Sequence, residues 1–93
     1  MSPSMAEAIG EVEHTHPEIS YRRRIGSGMA VLDVMIRDRS KLITQSELPA
    51  HELDRLRRLQ REDKACRSVC IRHLENGELF LALETLLLNS VRC

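Results

Sequence analysis

The sequence predicts an all-α fold: a small three-helix bundle with a C-terminal αα-hairpin and a flexible N-terminal tail. Three observations carry this expectation. Apolar residues recur at steps of three and four in three separate segments, the period of one helix face. Aromatic residues are nearly absent, with one Tyr, one Phe and no Trp, which speaks against the aromatic-rich strands of a sandwich or barrel. The dipeptide Asn76-Gly77 separates the last two periodic segments by a turn too short for anything but antiparallel helices. With 93 residues, the chain has room for one core. The expected organisation is a tail over residues 1–18 and one helical domain over residues 19–93.

The tail holds Pro3, Gly10 and Pro17 and no sustained apolar period, with at most a nascent turn around Met5 to Val12. His14 and His16 form an H-x-H pair, two metal-ligand types without the further ligands a site needs. The first helix is expected from Ile19 or Ser27 to about Lys41, on the stripe Ile25, Met29, Leu32, Ile36 and Ile43. Gly26-Ser27-Gly28 interrupts it. Ser27 suits an N-cap, so the helix either starts there or runs through from Tyr21 with a weak spot. The same Gly-Ser-Gly lacks the Lys-Ser/Thr and the preceding strand of a phosphate loop.

Ser46 and Pro49 mark a break and the start of the second helix, Ala50 to Glu75. Its seam runs Leu56, Leu59, Asp63, Cys66, Cys70 and His73, widened by Leu53 and Leu74. Arginines cover much of the remainder. Asp63 within an apolar seam requires either a cationic partner, for which Arg39 is placed, or a partner molecule that its carboxylate binds. Cys66, Cys70 and His73 share a face at helical spacing but lack the knuckle of a structural zinc site, so they read as core and no cofactor or metal is expected.

The third helix, Leu79 to Val91, is opened by Glu78 at the positive end of its dipole. At 100° per residue, Leu79, Phe80, Leu83, Leu86, Leu87 and Val91 form one broad inward face. Leu81 and Leu88 fall outside it with Glu84 beside them. Leaving two leucines in water forfeits about 1.5–3 kcal/mol each, so that side faces helix one, the tail or another molecule.

Lys+Arg and Asp+Glu are 14 each. That balance weighs against a protein that coats nucleic acid or a charged membrane. Three cysteines, an odd number, fit a reducing cytoplasm better than a secreted disulfide framework. The first residues show no signal-peptide pattern, and the longest apolar run, Leu79 to Leu83, is too short to span a bilayer. No catalytic triad, paired-carboxylate cleft or nucleotide loop is legible, so no enzyme is expected.

Two resemblances bear on function. The stretch from Arg24 to Arg39, with Leu32-Asp33-Val34-Met35-Ile36-Arg37-Asp38-Arg39, is similar to the first helix of small helical chorismate mutases, without that family's downstream active-site pattern. The stretch Asn76-Gly77-Glu78-Leu79-Phe80-Leu81-Ala82-Leu83-Glu84-Thr85-Leu86 resembles the closing helix of small bacterial toxin-immunity proteins. This second resemblance implies a stoichiometric protein inhibitor. The expected function is thus non-catalytic binding of another protein or of a second copy, as inhibitor, immunity factor or small adaptor/chaperone. Its contact residues would be Leu81, Glu84, Leu88 and Asp63. The alternative is a nucleic-acid-binding regulator that contacts phosphates through Arg57, Arg58 and Arg61, with Arg22-Arg23-Arg24 in support.

Overall fold

The computed structural model describes residues 16–91, and over these the chain forms three helices and no strand. They are α1 (Pro17–Gln45), α2 (Ala50–Glu75) and α3 (Leu79–Val91). The all-α expectation and the closing hairpin hold. Residues 1–15 of the expected tail, including His14, lie outside the described residues; Pro17 and Glu18 belong to α1.

α1 begins with Pro17 at its first position, where the missing N–H costs nothing, and Glu18 in its first turn suits the dipole. It then runs unbroken through Gly26-Ser27-Gly28, so Ser27 is an interior residue and not the cap its type suggested. Two glycines weaken a helix by roughly 1 kcal/mol each. Burial on both sides of them, at Ile25 and Leu32, outweighs that local cost. Gly28 also has a packing reason. A Cβ built there would stand 3.0 Å from Leu86 Cδ1, so its absence lets α1 and α3 approach closely. The helix continues past Lys41 to Gln45. Ser46 ends it by donating its N–H to Leu42 O at 3.2 Å, rather than capping the next helix. Pro49 takes the position before α2.

The α2–α3 link is a Schellman turn. Gly77 has φ +74°, its N–H donates to Leu74 O at 3.1 Å, and the Glu78 N–H donates to His73 O at 2.8 Å. The Glu78 carbonyl accepts the first α3 bond, from Ala82 N–H at 3.0 Å. Its carboxylate meets His73 Nδ1 at 3.3 Å across the turn.

α1 and α3 run parallel: Tyr21 packs edge-on against Phe80 and Gly28 lies beside Leu86. α2 runs against both. From the turn onward, Cys70 approaches the Ala82 carbonyl, Cys66 that of Thr85, and Asp63 the Asn89 amide. The core gathers Ile25, Cys70, Ala82 and Leu83, edged by Tyr21, Met29, Leu74, Leu79 and Leu86. With 13 residues against 29 and 26, α3 ends partway along. Beyond it α1 and α2 continue as a two-helix hairpin, pinned by Gln60, whose Nε2 donates to Ile36 O and Ser40 Oγ, both at 2.7 Å. On the outside, Arg67 Nε donates to Asp33 Oδ1 at 2.7 Å.

Candidate functional site

α3 packs into the crease between α1 and α2 through Ala82 and Leu83, with Leu79, Leu86 and Asn89 half-buried beside them. Ala82 is the hinge of this geometry. It is wholly enclosed, and the Cys70 Sγ lies 3.7 Å from its carbonyl oxygen. Only a small residue permits that closeness, and the placement rotates the rest of the helix outward.

The rotation leaves a broad apolar strip exposed. Leu81 and Leu88 are 40% and 56% exposed, with Glu84 exposed between them. At steps of three and four, these three residues share one helix face. The strip is wider than the sequence suggested, because Phe80 and Val91 are 61% and 82% exposed and Leu87 is also exposed. The apolar period of the sequence places all three inward. A face chosen by hydrophobicity favours Phe and Leu over Ala and Asn. The signal that would have corrected it is Ala82 together with Asn89, which suit close contact with α2 and a buried polar partner.

Shallow grooves border the strip on each side. One is lined by Val31 and Met35 of α1 with Leu86 and Ser90. The other is lined by Ala65 and Val69 of α2 with Leu88 and Thr85. The hydroxyls here are already engaged: Thr85 Oγ1 donates to Leu81 O and Ser90 Oγ to Leu87 O, both at 2.8 Å. The whole surface therefore offers mostly carbon, with the carboxylate of Glu84 on the strip and that of Glu62 in the second groove.

Asp63 is not part of this face. It is 2% exposed. One carboxylate oxygen is ion-paired with Arg39, and the other accepts a hydrogen bond from Asn89 Nδ2 at 3.0 Å. It joins three helices from within, and the partner-binding role expected of it is withdrawn on that ground.

Cys66 and Cys70 are buried thiols directed at α3 carbonyls, and burial pushes the Cys70 thiol above the ordinary cysteine range. Among the described residues no group of three His, Cys, Asp or Glu side chains is arranged to hold a metal ion. Arg57, Arg58 and Arg61 are exposed on the outer side of α2. The exposed Glu52–Arg55 pair one turn earlier, at 2.7 Å, lowers the carboxyl pKa of Glu52 and raises that of Arg55. Among the described residues no helix is long and apolar enough to cross a membrane. No protein-family model, curated protein or solved structure matches the chain.

Proposed function

We propose that this chain is a non-catalytic protein-binding protein, acting stoichiometrically in the cytoplasm as an inhibitor, immunity factor or small adaptor/chaperone. The observation that supports it is the outer face of α3: Phe80, Leu81, Leu87, Leu88 and Val91 exposed together on one helix. Scattered surface leucines are ordinary, whereas five large apolar side chains gathered on one exposed helix face around a single carboxylate are the composition of a docking surface. Docking would bury Leu81 and Leu88 against the partner, with Glu84 setting orientation by its charge. The resemblance of the Gly77–Leu86 stretch to immunity proteins points the same way. Self-association through this face is the other form of the reading.

Leu81→Glu with Leu88→Glu is the direct test. The double variant is expected to keep the helical signal and chemical melt of the parent, because neither side chain belongs to the core. It should lose at least tenfold in affinity for the partner or copy that the parent binds in light-scattering and co-purification measurements. Leu83→Glu, which drives a charge into the core, should instead unfold the chain. If the double variant binds as the parent does, the α3 face is not the docking surface. The alternative role for Arg57, Arg58 and Arg61 predicts duplex binding that weakens steeply with salt, with a slope flattened by Arg57→Ala and Arg61→Ala. We expect no duplex binding at physiological salt.

A further inference from the structure

We propose that the α1 side of the exposed strip receives a second copy of the chain, packed antiparallel about a two-fold axis between Gly28 and Val31. This rests on the self-association form of the proposed function and names the residues that would carry it. On α3, Phe80, Leu87 and Val91 fall on the α1 side of Glu84, and Leu81 and Leu88 on the α2 side. A copy seated on the first flank leaves Leu81 and Leu88 open to an outside partner.

The first argument is a second seam on α1. One residue ahead of the inward stripe runs another row with the same alternation of four and three: Arg24, Gly28, Val31, Met35, Asp38 and Leu42. Gly28, Val31 and Met35 line the groove beside α3, and Asp38 and Leu42 line a further hollow on the same helix. Val31 is 59% exposed and Leu42 46%. A four-three repeat left bare is the pattern by which one helix receives another.

Charge selects the occupant. The seam is basic at one end, where Arg24 is exposed, and acidic near the other, at the exposed Asp38. Asp38 has its neighbour Arg37 at 3.9 Å, too long for a hydrogen bond. An antiparallel copy presents the same row in reverse order. With the axis between Gly28 and Val31, each Arg24 stands three residues, about 4.5 Å along the seam, from Asp38 of the other copy. Helical side chains lean toward their own N-terminus, which carries these two toward each other. The two ion pairs form on either side of the axis and keep like charges apart.

Area agrees. Val31, Leu42, Phe80, Leu87 and Val91 are each about half exposed or more, and together leave on the order of 500 Å² bare. One side of a standard interface covers about 800 Å², somewhat over half of it apolar.

The test is sedimentation of the full chain and its charge variants. The parent is expected to sediment as a dimer. Arg24→Glu and Asp38→Arg, made separately, should each weaken the dimer at least tenfold, because each puts like charges in both pairs. An equimolar mixture of the two variants should recover a dimer, since each copy then faces the opposite charge at both ends, and so should the chain that carries both substitutions. Val31→Glu should yield monomer with the parent's circular dichroism melt, and the charge variants stand in for it if it does not fold. A monomeric parent would overturn the proposal. So would single charge variants that dimerise as the parent does, or a mixture that stays monomeric. A dimer lost in Leu81→Glu with Leu88→Glu but kept in Val31→Glu would overturn it too, while leaving the proposed function standing on the other flank.

Discussion

At the Gly77 end of the bundle three helices meet around Cys70, Ala82 and Leu83, and the closest approach is made by small side chains and thiols. At the Pro49 end two helices continue alone, and the layer where α3 stops is polar: Arg39, Asp63, Asn89, then Gln60 with Ser40. The first region is held by fit. It tolerates no added volume but contains no charge to strand. The second is held by partners, and it fails when one of a pair is removed.

Removing a partner should give the largest effect. Asp63→Ala leaves the Arg39 guanidinium buried with nothing opposite, and breaking a buried pair in this way costs about 3–5 kcal/mol. For a chain of this size that is a large part of its total stability. A urea melt of Asp63→Ala that moves by less than about 1 kcal/mol would mean the polar layer is open to water and the comparison fails. The fit at the other end is probed by Ala82→Leu. Overpacking an enclosed site of this kind costs about 1–3 kcal/mol, and equal stability would show that α3 can ride away from α2 without loss.

Alkali sharpens the contrast at the same end. Burial raises the Cys70 pKa in the folded state above its unfolded value. The neutral thiol is therefore what the fold favours, and its contribution is complete below the unfolded pKa. It is lost as pH climbs through that value toward the folded one. Stability should decline in alkali for the parent and decline less for Cys70→Ala, measured as melts across the alkaline range. The smallest effect should be a gain. Gly26 has open space where a Cβ would go, so Gly26→Ala is expected to add about 0.5–1 kcal/mol. Gly28→Ala should bring no such gain, because its Cβ would stand 3.0 Å from Leu86 Cδ1 and force that side chain aside.

The legible part of this fold was whatever follows from period and turn chemistry. The three helices and the Gly77 stop follow from residue type and spacing, whereas for Asp63 the spacing left Arg39 and an outside partner both open and only its burial against Arg39 decides. Two other things did not follow. Ser27 resembles a cap, and only packing on both sides of the glycines carries the helix through it. The inward face of α3 was set off by roughly a quarter-turn, because a hydrophobicity count ranks Phe80 and Leu87 above Ala82. The structure instead selects the residue that fits the crease. Leu81 and Leu88 were legible as the outer side because they lie far from both candidate inward faces, with Glu84 beside them.

The polar layer also settles how far the helices can slide along one another. An apolar seam of leucines offers nearly equivalent packings one turn apart, about 5.4 Å along the axis. Shifting α3 by one such step would place Thr85 where Asn89 now meets Asp63. The Thr85 hydroxyl is bonded to its own helix at Leu81 O and is shorter than an amide. The same step would carry Ala82 away from Cys70 and bring a bulkier neighbour into the tightest gap. Asp63, bonded to α1 on one oxygen and to α3 on the other, thus acts as an index mark shared by three rods, accepting one register and refusing its neighbours.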